Sequence, residues 1–204
     1  MSKRVLRYFG GLIKRQENWL NRMAAKGYRL VETGRLFYKF EQCSPNSYEY
    51  RVEFVGHKPH SEAQKYREFL HELGYRTFWK NINLNFALFK MKWRPWAQGT
   101  GQLATSSGGL NRELLIVEKR QDGKPFSLHT DPSEIIALYK TMRKAWLWSA
   151  VPGLMLLVMI LTGYIKFSWL AITGATVLVL WGLVPFAYYS LELSRYKRQE
   201  RLYE

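Results

Sequence analysis

Apolar residues recur at helical spacing from Gln16 to Lys26. Trp19, Leu20, Met23 and Ala24 share one stripe, and Lys14, Arg15, Arg22 and Lys26 fall mostly elsewhere on the wheel, which predicts an amphipathic helix closed by Gly27 as a left-handed cap. A second helix is predicted from Ser61, whose hydroxyl can cap while Gln64 reaches back; it would bury Tyr66, Phe69, Leu70 and Leu73 before Gly74. Both helices end alike, in Gly27-Tyr28-Arg29 and Gly74-Tyr75-Arg76. Between them the period changes to two. Leu36, Tyr38 and Phe40 alternate with Lys39 and Glu41, and Tyr48, Tyr50, Val52 and Phe54 with Glu49, Arg51 and Glu53, as in strands with one wet face. Pro45-Asn46-Ser47 supplies a turn that would join these two strands as a hairpin. With further strands at Arg4 to Phe9 and Phe86 to Lys90, the order suits a ferredoxin-like α+β sandwich over residues 1–96. The repeated helix, glycine, tyrosine unit fits the pseudo-symmetry of such a fold.

Past this domain the periodicity lapses. Residues 97–111 are rich in glycine, serine and threonine and read as a flexible linker. In residues 112–144, Leu114, Leu115, Ile116 and Val117 form a buried-strand candidate, Asp122-Gly123 marks a turn, and Phe126 and Leu128 could return as a small β-hairpin. Asp131, Pro132 and Glu134 then carry the start signal of a helix that can run on without interruption.

That helix leads into the longest apolar stretch of the chain. Residues 145–165 carry no charge over a length that spans roughly 30 Å as a helix, the thickness of a bilayer core. After Lys166 and Phe167, residues 168–190 supply a second uncharged run, so residues 145–190 read as a two-helix transmembrane hairpin followed by a basic tail, 191–204. Lys140, Arg143 and Lys144 precede the hairpin and Arg195, Lys197, Arg198 and Arg201 follow it, against Lys166 alone in the turn, which predicts that both termini are cytoplasmic. Trp146, Trp148, Tyr188 and Tyr189 would anchor the inner interface, Tyr164 and Trp169 the outer. Pro152 and Pro185 fall at matched depth, and Ala171, Gly174, Ala175 and Gly182 offer small positions for a close neighbour, either the hairpin partner or a second copy. No Asp, Glu, Arg or His lies within either span, so the hairpin itself offers no ion pathway or proton relay.

Charge narrows the function further. Through Trp96 there are 19 Lys and Arg against 8 Asp and Glu, an excess of 11 within the whole chain's +15. Such an excess attracts polyanions, and for a tethered domain the anionic inner leaflet is nearer than nucleic acid. Catalytic chemistry needs convergent polar groups, and none is patterned here: no catalytic constellation, cofactor motif or metal set emerges. His57 and His60 stand three apart around Lys58-Pro59 without a second ligand pair, and Gly99 and Gly101 lack the lysine and hydroxyl of a phosphate loop. The one cysteine, Cys43, excludes an internal disulfide and reads as structural.

Taken together, Trp19, Leu20, Met23, Gly27, Tyr28 and Leu30, then Tyr38 and Phe40, then Tyr48, Tyr50, Arg51, Val52 and Phe54, then Gly74 and Tyr75, resemble the bacterial domain-of-unknown-function family 2812 over Val5 to Met91. Tyr28 and Tyr75 stand where that family often has tryptophan. The resemblance implies a domain that continues into membrane helices and a regulatory role, with PadR-like transcriptional regulators as the expected protein partner. The sequence therefore predicts a membrane-anchored, non-enzymatic regulatory or sensing module. Two alternatives are a nucleic-acid-binding domain, with Tyr38 or Tyr50 as stacking platforms, and an accessory subunit of a transporter.

Overall fold

The computed structural model describes residues 2–56, 58, 60–82, 86–88, 91–93, 103–104, 114–126, 128, 132–166 and 168–200. The chain is mixed α+β and divides into two compact units, residues 1–130 and 131–204.

Among the described residues unit 1 contains three three-stranded sheets, the third built of shorter strands. In the first, β1 (Ser2–Leu6), β2 (Tyr28–Thr33) and β3 (Phe37–Gln42) lie in the order β1-β3-β2, and α1 (Ile13–Ala25) connects β1 to β2. In the second, β4 (Tyr48–Phe54), β5 (Arg76–Lys80) and β9 (Leu114–Arg120) lie in the order β4-β9-β5, and α2 (His60–Glu72) connects β4 to β5. Each sheet thus holds two parallel strands on either side of an antiparallel third, with a helix crossing between the outer pair. The halves repeat: α1 starts at 13 and α2 at 60, and the left-handed glycines are 27 and 74, a shift of 47 residues. At Gly27 the constraint is double, since φ is +79° and a Cβ would stand 2.8 Å from the Cys43 carbonyl oxygen. The third sheet joins β6 (Phe86–Leu88), β7 (Met91–Trp93) and β8 (Leu103–Ala104).

Several expectations are corrected. The hairpin across Pro45-Asn46-Ser47 does not form: β3 and β4 belong to different sheets. The turn is held instead to the end of α1, where the Asn46 N–H donates to the Ala24 carbonyl at 3.0 Å and the Cys43 N–H to that of Gly27 at 2.9 Å, so the chain leaves sheet one instead of doubling back. A ferredoxin-like sandwich would place its strands in one sheet, whereas among the described residues β1 and β3 lie in one sheet, β4 in a second and β6 in a third. The strands following the two glycines, β2 and β5, carry no clean alternation and are absent from the sequence reading. Leu114 to Val117 do not pair with Phe126 and Leu128. Both edges of β9 are taken by β4 and β5, and Phe126 packs instead with Val55, Ala63, Leu70, Leu115 and Val117. Burial on both faces explains the unbroken apolar run of β9, and it moves the end of the domain from residue 96 to 130. In α2, Leu70 is buried as expected, but Phe69 is exposed, as is Leu73 just past its end. The linker expected over 97–111 lies outside the described residues except for Leu103 and Ala104, which pair with β7.

Unit 2 is two long helices, α3 (Pro132–Leu161) and α4 (Trp169–Glu200). The start signal expected at Asp131 lies outside the described residues, but α3 begins at Pro132 and continues unbroken to Leu161. Gly163, with φ +81°, turns the chain; its N–H and that of Ile165 donate to the carbonyls of Ile160 and Met159. The helices meet through small residues. A Cβ on Gly153 would stand 2.8 Å from the Val179 nitrogen, and one on Gly182 would stand 2.6 Å from the Ala150 nitrogen. Ala175 is buried beside them, whereas Gly174 faces open space, so only part of the expected small-residue set lies in the contact.

Candidate functional site

The polar groups of unit 1 converge on the seam where its two halves meet. Tyr50, fully buried in β4, donates its hydroxyl to Glu118 of β9 at 2.7 Å and accepts the Leu30 N–H of β2 at 2.8 Å. The other Glu118 oxygen accepts from Nε and an Nη of Arg29 at 3.0 and 2.8 Å. Arg29 also stacks over the Tyr48 ring at 4.3 Å and stands 3.7 Å from Glu41. The hydrogen bonds it donates to Glu118 hold the Arg29 charge more firmly than usual, and burial beside that carboxylate pushes the Tyr50 hydroxyl far above its ordinary value. Cys43 lies near this group, and its thiol is pushed up, first by burial.

A second set of bonds locks α1 onto the outer edge of β4. The Asn21 side-chain amide donates to the Tyr50 carbonyl at 2.9 Å and accepts the Tyr50 N–H at 2.8 Å, so one side chain replaces a missing neighbouring strand. Glu17 accepts the Val52 N–H at 3.3 Å, Lys14 at 2.8 Å and Arg51 at 2.8 Å, and Arg51 continues to the Phe126 carbonyl at 2.8 Å. On the far side of sheet two, Tyr66 donates to Glu53 at 2.6 Å. Where the sheets abut, Thr33 Oγ1 donates to the Trp79 carbonyl at 2.7 Å, and Lys80 donates to the carbonyls of Gly34 and Arg35 with its ammonium 4.2 Å over the Tyr38 ring. Burial lowers Lys80 to about 8.

Every charged member of this seam is matched by an opposite charge, a carbonyl or a ring. The arrangement can hold two sheets and a helix in one register; it presents no nucleophile beside a base. Among the described residues no three His, Cys, Asp or Glu side chains lie close enough to hold a metal. His57 lies outside the described residues, and of His60 only its place at the start of α2 is described. Tyr38 and Tyr50, the stacking platforms of the nucleic-acid reading, are 1% and 0% exposed, which leaves neither ring face open to a base.

A family model described as "Protein of unknown function (DUF2812)" matches residues 12–151. The chain belongs to this family. No curated protein and no solved structure matches it. The DUF2812 match runs beyond the stretch over which the resemblance was legible, through β9 and into α3, as expected if sheet two is incomplete without β9. Its family-like residues are structural: Trp19, Leu20 and Met23 are buried on α1, with the Trp19 ring 4.9 Å from Tyr38 and 5.6 Å from Phe40. Tyr28 lies under Lys3 at 4.9 Å, and Tyr75, following the left-handed Gly74, packs on Phe126 at 5.4 Å.

Of the expected interface anchors, Trp148, Tyr164 and Trp169 are exposed, Trp146 packs 6.1 Å from Trp181, and Tyr188 is half-buried. Tyr189 is buried against Tyr139 at 6.0 Å, so it joins the two helices and does not form part of a belt. Among the flanking cations, Lys140, Lys144, Lys197 and Arg198 are exposed, Arg143 lies 6.0 Å over Phe186, Arg195 bonds Glu192 at 3.1 Å, and Arg201 lies outside the described residues. Sequence reasoning missed Arg29, Glu118, Asn21, Glu17 and Lys80. A lone carboxylate ending the apolar run of β9 was the one available signal.

Lys80 makes the seam sensitive to alkali. Between about pH 8 and 10 the unfolded chain holds the Lys80 proton while the folded chain has released it, so stability is expected to rise with pH. Above about pH 10 it should fall, because tyrosines ionise in the unfolded chain while Tyr38, Tyr50 and Tyr66, raised mainly by burial, keep their protons. Melting temperatures measured from pH 7 to 11 check both limbs. Lys80→Met should abolish the rise and keep the fall.

Proposed function

We propose that this DUF2812 chain is a membrane-tethered, non-enzymatic regulatory or sensing module, in which α3 and α4 cross the bilayer and unit 1, on the cytoplasmic side, binds a protein partner. The outward surface of unit 2 carries the reading. Both helices are long and apolar enough to span, and only 17% and 11% of their most apolar stretches is buried, unlike the core helix of a water-soluble domain. Trp148, Leu161, Leu170 and Trp181 stand among many exposed apolar side chains, an arrangement costing about 25 cal/mol for each Å² held in water. Three hydroxyls suit lipid as well: Thr162, Thr173 and Thr176 donate to carbonyls four residues back at 2.8–2.9 Å, so each satisfies its own donor locally.

The orientation rests on the flanks, seven lysines and arginines outside the hairpin against Lys166 in its turn. The partner is proposed as a protein, a PadR-like regulator being the class the family resemblance suggests. We also relate each half of unit 1 to the ferredoxin-like fold, because each keeps the crossing helix and the parallel pair split by an antiparallel strand. Reporter fusions after Glu204 and at Lys166 test the topology. The first should be active only in the cytoplasm, and activity outside it would sink the orientation. Affinity capture from detergent-solubilised membranes tests the partner; recovery of no protein would sink that part while leaving the topology standing.

A further inference from the structure

Sheet one has one covered face and one open face. On the covered face Tyr38 and Phe40 are buried against Trp19 of α1. Phe37 and Lys39, which alternate with them along β3, point the other way, and their cross-strand partners on β1 are Leu6 and Arg4. Leu6 and Phe37 form the last rung of the β1–β3 pair, as Phe54 and Leu114 do of the β4–β9 pair in the repeat. Yet Leu6 and Phe37 are 64% and 45% exposed, where Phe54 and Leu114 are 6% and 1%. Tyr8, two residues beyond Leu6, is exposed as well. The charge of this face is one-sided. Arg4 and Lys39 stand directly opposite each other, a like-charged pair that costs a sheet stability unless an anion joins them. The two carboxylates on the face are already engaged, Glu32 by Lys39 at 3.9 Å and Glu41 by Arg29 at 3.7 Å. None of the first sixteen residues is acidic, nor is any from Thr33 to Phe40, and the turn before Phe37 adds the exposed Arg35.

We propose that the open face of sheet one, centred on Arg4, Leu6, Phe37 and Lys39, docks unit 1 on the anionic headgroups of the inner leaflet. Lipid fits both halves of the patch. Headgroup phosphates supply the anion that the Arg4–Lys39 pair calls for, and the boundary between headgroups and acyl chains takes Leu6, Phe37 and the Tyr8 ring. The Arg4 guanidinium already lies 5.6 Å over the Phe37 ring, so its stem can follow the apolar side chain inward while its charge stays among the phosphates. A second copy suits the face less well, because it brings the chain's own excess of +15 to a surface that is already cationic. The proposal rests on the membrane reading: tethered by the same chain, unit 1 meets lipid at a high effective concentration, and a small patch can then hold it. Docking of this kind makes the placement of unit 1 respond to the density of anionic lipid and to ionic strength.

The test uses the full chain with Cys43→Ser in nanodiscs of phosphatidylcholine, alone or mixed with phosphatidylserine, that carry a nitroxide-labelled lipid as quencher. A fluorophore is attached through Leu6→Cys, Phe69→Cys or Met155→Cys. Quenching at Met155, exposed on α3, is expected in both discs, and its absence sinks the membrane reading and this proposal with it. Quenching at Leu6 is expected only with phosphatidylserine and should be lost at high salt. Met155 quenched while Leu6 stays bright in the anionic discs overturns this proposal alone. So does quenching at Phe69, an exposed ring on α2, as strong as that at Leu6, because no particular face would then be docked. Arg4→Glu should lower the ratio of docked to undocked unit 1 about tenfold. Its melting temperature should not fall, since a glutamate there stands opposite Lys39, and Arg4→Lys should keep the docking. Undiminished quenching in Arg4→Glu overturns the proposal, as does a Leu6 label shielded from aqueous iodide but not quenched by lipid, which marks a protein surface, such as a second copy, over the face.

Discussion

Arg29→Ala is expected to destabilise unit 1 by about 3 kcal/mol or more, because it strands a carboxylate that water barely reaches. The Glu118 side chain is 2% exposed, and without the guanidinium the Tyr50 hydroxyl is its one remaining side-chain hydrogen-bond partner among the described residues. The reverse deletion should be milder. Glu118→Ala leaves a cation that is 27% exposed, with Glu41 3.7 Å away and solvent close by, so about 1–2 kcal/mol is expected. Replacing both by apolar residues, Arg29→Met with Glu118→Leu, should recover most of the loss, since it removes the buried charge along with its partner. Denaturant unfolding of the full chain in detergent, followed by tryptophan fluorescence, gives the order. If Glu118→Ala proves the more damaging, the seam is not held in the way described.

What makes the seam consequential also made it hard to read from the sequence. Arg29 and Glu118 are 89 residues apart, and nothing in a strand's own alternation reveals which distant strand will lie beside it. The local patterns were legible because their causes are local. The α1 stripe follows from the 3.6-residue period, the left-handed turns at Gly27 and Gly74 from the freedom of glycine, and the alternation in β3 and β4 from each strand's two unequal faces. β9 shows only half of its role in this way. An apolar run announces burial on both faces but not which strands bury it, so Leu114 to Val117 read as a separate hairpin and not as the middle of sheet two. Phe69 and Leu73 mislead in the opposite direction: helical spacing predicts a buried stripe, yet α2 covers sheet two with Ala63, Tyr66 and Leu70 and leaves that pair outside.

The second large effect is expected in unit 2, at Gly182. In the bilayer proposed for them, lipid would be as apolar as the helices, so the hydrophobic effect would not drive α3 against α4; their adhesion would depend on how closely the backbones approach. At Gly182 the approach is close enough that even a Cβ would stand 2.6 Å from the nitrogen and from the Cβ of Ala150, and the backbone has no slack to yield. Gly182→Leu should therefore force the helices apart and cost about 2–3 kcal/mol of hairpin stability, the range for overpacking a fitted contact. Gly174 is the internal control, eight residues earlier on the same helix with nothing within 4 Å of where its Cβ would be. Gly174→Leu should be neutral or slightly stabilising, since glycine is the poorer helix former by up to about 1 kcal/mol. Thermal unfolding in detergent, with the distance between spin labels at Leu154 and Leu178 in a Cys43→Ser background, separates the two variants. The distance should lengthen for Gly182→Leu alone. An unchanged distance and melting point for that variant would mean that α3 and α4 are not packed through their small residues.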